Sequence, residues 1–245
     1  MPKSVLAVIP ARYASTRFPG KPLALIAGKP MIQWTYESAK KSKADRVIVA
    51  TDDQRIADCV TSFGGEYVMT AVDHPSGTDR IAEAVSEIEG DLIINLQGDE
   101  PLLPAVVIDE LIDKMQADES LGMGTAAVPE AYTEELSKDA NRVKVVIDQQ
   151  SQALYFSRSG IPYYRNLPEN PSLLTHWGVY AYRRRVLEQF IQWPQTPLEH
   201  AESLEQLRAL ENGVKIHVLV TDQRSIGVDV PDDILKVEEY LKEIS

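Results

Sequence analysis

The sequence predicts an α/β protein built on a mainly parallel sheet, and three features of its first half predict it. Short apolar runs alternate with segments of helical periodicity, a polar turn follows each run, and the runs are too uniformly apolar for strands with one wet face. Such alternation implies right-handed crossovers, with helices on both faces of the sheet. Parallel strands point one way, so the loops that follow them gather at one edge, where open α/β sheets bind ligands.

The first run, Val5 to Ile9, reads as a strand buried on both faces and ending at Pro10. The loop after it carries Arg12, Arg17 and Lys21 among small or hydroxyl residues, with Pro19 stiffening it. Three cations this close together at the end of a buried strand, in an acidic chain, point to an anion site that suits phosphates. Met31 to Ser42 follows as a helix and Arg46 to Ala50 as a strand that ends at Thr51-Asp52-Asp53. Ile56, Val60 and Phe63 mark a helix closed by Gly64 and Gly65. Glu66 to Thr70 is a strand, Asp73 to Arg80 a polar loop, and Ile81, Val85 and Ile88 the face of another helix. The strand Asp91 to Leu96 then runs into Gln97-Gly98-Asp99-Glu100-Pro101.

The second half is less regular. A helix spans Val107 to Met115 and a strand Gly122 to Val128. Arg142 to Asp148 and Ala153 to Ser157 form a strand pair, and Thr175 to Arg183 a further strand. Helices are expected over Arg185 to Trp193 and, unbroken, over Leu198 to Asn212. Lys215 to Thr221 is a late strand, and a helix from Pro231 to Ile244 ends the chain. With no repeat, low-complexity tract or clear linker, the 245 residues read as one domain. Its nucleotide-binding half covers about 1–130 and an elaborated part about 131–230.

Composition narrows the function. Lys and Arg total 25 against 37 Asp and Glu, a net charge of −12 that repels nucleic acid and anionic membrane, so an anionic ligand needs a local cationic cluster. Cys59 is the only cysteine and sits on an apolar helical face, which suits the core and a reducing, cytoplasmic setting. No run is long enough for a signal-peptide core or a membrane span. Gly20-Lys21 and Gly28-Lys29 are each followed by Pro, so there is no Walker motif, and no G-x-G-x-x-G follows the first strand.

Read from residue type alone, Asp99 and Asp229 have two explanations each. Before Pro101 and Pro231 they suit helix starts; flanking a nucleotide they would supply the carboxylates that Mg²⁺ needs beside phosphate oxygens. His176 on an apolar strand suits a hydrogen-bonded core histidine. Arg158, after the apolar ALYFS, needs an anionic partner, which a salt bridge would also provide. Glu205 and Gln206 lie on the expected Leu198 to Asn212 helix, where most polar residues are solvated.

Taken together, IPARYASTRFPGKPL, VIVATDD, HPSGTDR, NLQGDEP, VKVVID, ALYFSRSGIPY, HWGVYAYR, PLEHAESLEQLR and GVDVPDDI resemble the 3-deoxy-manno-octulosonate cytidylyltransferase family over nearly the whole chain. The resemblance implies a three-layer nucleotide-sugar pyrophosphorylase-like (Rossmann-like) nucleotidyltransferase fold with a mainly parallel mixed sheet. It also implies a homodimer in the bacterial cytoplasm and a role in lipopolysaccharide assembly. Ala11, Arg12, Arg17, Lys21, Ser76 and Gly77 would hold CTP, while Asp99 and Asp229 would ligate Mg²⁺. Gln97, Arg158, His176, Tyr180, Glu205 and Gln206 would hold an acidic eight-carbon sugar. Asp99, Arg12, Lys21 and Asp229 would carry the chemistry, Asp99 as metal ligand and not as general base.

The sequence departs from the family pattern at Thr175, where the family usually has Arg, and at Trp177 and Ser203, in place of an aliphatic residue and Met. These changes flank expected sugar contacts and raise an 8-amino analogue of the sugar as an alternative substrate. A sialic acid cytidylyltransferase is disfavoured by FSRSGIPY and LEQLR, and a non-catalytic binder by the paired aspartates.

Overall fold

The structure, a computed structural model, describes residues 4–14 and 18–243. The chain forms two compact units, one of residues 1–112 and 224–245, the other of residues 113–223.

In the first unit the strand β1 (Val5–Ala11) is followed by a 3₁₀ turn, Lys21–Leu23, and by the short hairpin β2 (Leu25–Ile26) and β3 (Lys29–Pro30). Then come α1 (Met31–Lys40), β4 (Arg46–Thr51), α2 (Gln54–Ser62), β5 (Tyr67–Met69), α3 (Gly77–Ala84), β6 (Leu92–Leu96) and α4 (Ala105–Ala117), whose last turn enters the second unit. The strands lie in the order β6-β1-β4-β5, all parallel. Val5 to Ile9 are buried without interruption. Since successive side chains leave opposite faces, both faces of β1 are covered, as its unbroken apolar run predicts.

β1 does not stop at Pro10. Its pairing with β6 ends at Val8↔Asn95, whereas pairing with β4 continues to Ala11↔Thr51. On the β6 side the ladder no longer requires an N–H from residue 10, so proline is tolerated there. α3 begins at Gly77, where a polar loop to Arg80 was expected, because Ser76 caps it: Oγ accepts from the Thr78 and Asp79 amides at 3.1 and 3.2 Å.

The second unit contains β7 (Met123–Ala131), α5 (Glu134–Lys138), β8 (Lys144–Ile147), β9 (Ala153–Ser157), β10 (Ser172–Arg183), α6 (Arg184–Phe190), α7 (Pro197–Glu202), α8 (Gln206–Glu211) and β11 (Ile216–Val220). β7 pairs parallel with β11 and antiparallel with β10, which also pairs antiparallel with β8, and β8 with β9. The single helix expected over Leu198 to Asn212 is two, separated at Ser203, whose φ of 52° and ψ of 48° are left-handed. The chain then returns to the first unit and ends in α9 (Asp233–Glu243). Among the described residues no helix is long and apolar enough to cross a membrane.

Candidate active site

In the first unit the loops after β1, β5 and β6 border one open cleft of about 250 Å³, with Pro10, Ala11, Arg12, Lys21, His74, Ser76, Gly77, Arg80, Gln97 and Asp99 on its walls. Three of the loops expected at this sheet edge thus gather; the one after β4, Thr51-Asp52-Asp53, does not line the cleft and instead holds Arg80 through Asp52. Lys21 returns to that edge because Gly20, at φ 72°, donates its N–H to the Tyr13 carbonyl at 2.9 Å. A Cβ at residue 20 would meet the Tyr13 ring at 3.2 Å. That ring is in turn covered by the Arg55 guanidinium, 3.3 Å from its centroid, and Arg55 is held by both oxygens of Asp53. Arg12 is exposed at the cleft. Arg17 lies outside the described residues.

Two carboxylates from distant parts of the chain converge on Lys21. Its Nζ stands 2.9 Å from Asp99 Oδ2 and 3.7 Å from Asp229 Oδ1. Both aspartates remain substantially exposed, at 41% and 50% of their side chains, so neither is committed to a buried ion pair. Glu100, beside them, is different. Burial pushes its carboxyl up to about 7, against the hydrogen bond from Ser225 and with the charges of Asp99 and Asp229 adding to the rise.

The cleft's other wall rests on residues that reading by type passed over. Arg80 is buried and donates to Asp52 Oδ2 at 2.8 Å, Thr70 Oγ1 at 2.5 Å and the Ala71 carbonyl at 3.1 Å. It thereby ties the ends of β4 and β5 to α3, whose first turn presents Ser76 and Gly77. The signal was present in Ser76 and Asp79, a hydroxyl and a carboxylate three residues apart, the spacing of a capped helix start.

In the second unit His176 Nε2 lies 3.0 Å from Thr125 Oγ1. With its one proton given to the Val179 or Trp177 carbonyl, at 2.8 and 3.2 Å, that hydroxyl accepts from Nε2–H, which puts the ring's lone pair on Nδ1. The residue keeps some exposure, but its ring is packed between Phe156 and Tyr180, and this desolvation lowers the imidazole pKa to about 3. Burial, with Tyr182 and Glu205 nearby, raises Tyr180 well above the usual phenol range. The His176 and Tyr180 rings pack with centroids 5.3 Å apart.

Arg158 is held by main-chain oxygens: Nε by Glu202 at 2.7 Å, one terminal nitrogen by Ala140 at 2.8 Å and the other by Ser203 at 3.2 Å. The helix breaks where it does because the left-handed Ser203 turns the last carbonyls of α7 out to this guanidinium. Glu202 accepts from Ser157 Oγ at 2.6 Å and from the Arg158 amide at 2.9 Å. Burial opposes its ionisation, but these hydrogen bonds outweigh it and hold the carboxyl below its usual range. Gln206 opens α8 and is buried, not solvated. Thr175 and Trp177 leave β10 on the face opposite His176, so these two departures do not border its ring.

Against known proteins, residues 6–216 match the model of the Cytidylyltransferase family. The chain is 50% identical to the 3-deoxy-manno-octulosonate cytidylyltransferase of Syntrophotalea carbinolica over 98% of its length and 99% of the relative's. It is 49% identical to that of Photobacterium profundum over 97% and 99% of the two chains. A solved CMP:2-keto-3-deoxy-manno-octonic acid synthetase complexed with CTP superposes with a TM-score of 0.93 at 43% identity, covering 99% of this chain and 100% of that one. With an edge cleft lined by cations and Asp99, with Asp229 brought to the same lysine, and with likeness running end to end, the chain belongs to the 3-deoxy-manno-octulosonate cytidylyltransferase family.

Proposed function

We propose that this protein transfers a cytidylyl group from CTP to 3-deoxy-manno-octulosonate, forming the CMP-sugar and diphosphate for lipopolysaccharide assembly. The observation that carries the reading is the convergence of Asp99 and Asp229 on Lys21, in a cleft that Lys21 and Asp99 line together with Ala11, Arg12, Ser76 and Gly77. The sugar's anomeric hydroxyl attacks the α-phosphorus in line, the bond to the β-phosphate oxygen breaks, and diphosphate leaves. Arg12 and Lys21 balance the phosphate charge, and the backbone of Ala11 with the capped start of α3 meets the cytosine edge. In the second unit Arg158 takes the sugar's carboxylate, while the His176 lone pair accepts from a sugar hydroxyl beside Tyr180, Glu205 and Gln206. Gln97 lines the cleft in the first unit.

The residues fit a magnesium ion. Two half-exposed carboxylates already face one cation, the Lys21 ammonium. Asp99 and Asp229 would hold the ion, which when bound would offset charge on the phosphates. Exposed Leu154, Tyr163, Leu167 and Leu198 in the second unit support a homodimer, and the single thiol suits the cytoplasm. The test is diphosphate release and product mass from CTP, Mg²⁺ and the sugar acid, with the 8-amino sugar and the other nucleotides as comparators. No CMP-sugar from any pairing would overturn the reading.

A further inference from the structure

Glu100 follows Asp99 in the turn after β6, and both of its carboxylate oxygens abut a segment far away in sequence. Oε2 accepts from Ser225 Oγ at 2.7 Å, and a Cβ on Gly227 would stand only 3.1 Å from Oε1. The Val228 N–H donates to the Asp99 carbonyl at 2.8 Å, and the Val228 side chain is buried with Ile26, Met31 and Val237. The next residue is Asp229, whose own N–H goes to Asp233 Oδ2 at 3.0 Å. This strap, Ser225 to Val228, has no helix or strand to stiffen it. Among the described residues, Glu100, one main-chain bond and the apolar side chains of Val228 and Ile226 hold it against the first unit.

We infer that Glu100 is a positioning residue: by gripping Ser225 and the close pass at Gly227 it docks the strap and sets the Asp229 carboxylate beside Asp99 and Lys21. The inference rests on the cytidylyl-transfer reading of the same site. A substitution that lets the strap drift would move one carboxylate and leave the other where it is, and a misplacement of about 1 Å at a reacting centre costs about a hundredfold in rate. Glycine at 227 is required by the same contact, since a side chain there would push against the Glu100 carboxylate.

The test is a double-mutant cycle on the full chain, with hydrogen exchange of the strap amides as a readout independent of turnover. Glu100→Ala is expected to speed exchange at Ser225 to Asp229 alone and to lower kcat/KM about tenfold or more. Glu100→Gln keeps an acceptor for Ser225 and retains most of the activity. With Asp229→Ala already in place, Glu100→Ala costs less than about twofold, because its effect runs through Asp229. Unchanged strap exchange, or the same fold-loss in both backgrounds, overturns the inference. If Glu100→Ala does not fold, Ser225→Ala carries the same cycle. If the wild-type protein releases no diphosphate, the functional reading fails while the exchange comparison still decides the latch.

Discussion

In the first unit Lys21 faces two carboxylates, Asp99 and Asp229, at the mouth of a cleft, whereas in the second unit Arg158 and Lys144 give their protons to main-chain carbonyls. Lys144 is fully buried and donates to the carbonyls of Asp139 and Arg158, both at 2.7 Å. The difference has a chemical consequence. An ammonium paired with half-exposed carboxylates can exchange them for phosphate, and the carboxylates can exchange it for a metal ion, at little cost in stability. A cation bound to carbonyls of the α5–β8 loop, of the residue after β9 or of the α7–α8 turn has no such freedom, for its partners move only if the fold does. The first arrangement suits a site where charge comes and goes with each turnover; the second suits one that must hold its shape around a hydroxyl-rich ligand bearing a single carboxylate.

The sharpest way to break this contrast is Asp99→Ala. Turnover should fall about 10²–10³-fold, as for loss of one charge-stabilising group, while the urea midpoint stays near wild type. Near-normal diphosphate release at saturating Mg²⁺ would remove Asp99 from its role. Lys144→Met should do the reverse. It leaves the Asp139 and Arg158 carbonyls without a donor, at about 1–3 kcal/mol each in urea unfolding, and turnover at permissive temperature suffers only as Arg158 shifts.

A smaller effect separates the units by pH. The native state keeps His176 neutral down to about pH 3, whereas the unfolded chain protonates its imidazole near 6.5. Between those values the unfolded state binds the extra proton, so stability falls as pH falls through that window, by up to about 1.4 kcal/mol per pH unit. His176→Gln should remove this component, and the stability difference between the two proteins, followed by urea unfolding from pH 6 to pH 4, should change with that slope. A difference independent of pH would contradict a buried neutral imidazole. Smallest is Ser76→Ala, which uncaps α3 at about 1 kcal/mol and should raise KM for CTP more than it lowers kcat. Unchanged CTP affinity would detach the cap from base recognition.

The β-α alternation, the position of most strands and the convergence of the β1, β5 and β6 loops were legible from residue type, because burial on both faces of a parallel sheet demands runs such as Val5 to Ile9. Boundaries were less so. Pro10 stays in its strand only because β6 pairing has already ended, and Ser203 breaks a helix only because Arg158 takes the carbonyls it frees. Both depend on a partner many residues away. The positions of Asp99, Asp229, Arg158, His176 and Tyr180 came from likeness to a family, since a helix cap or a core histidine explains each of the first, second and fourth equally well in isolation. Glu100, Arg80 and Glu202 lie inside motifs that carry the resemblance, but nothing in one dimension sets them apart from their neighbours. Each is a common residue type whose meaning lies in what it holds.

By itself the order of residues determined the alternating architecture, the cationic loop at the end of β1 and the absence of the two commonest glycine-rich phosphate motifs, since these follow from local periodicity and composition. Only the tertiary structure decided that Asp229 returns to stand with Asp99 against Lys21, that Glu100 grips the strap beside it, and that His176 offers a lone pair instead of a charge. Those outcomes depend on distance and desolvation between groups far apart along the chain, and neither exists until the fold has brought them together.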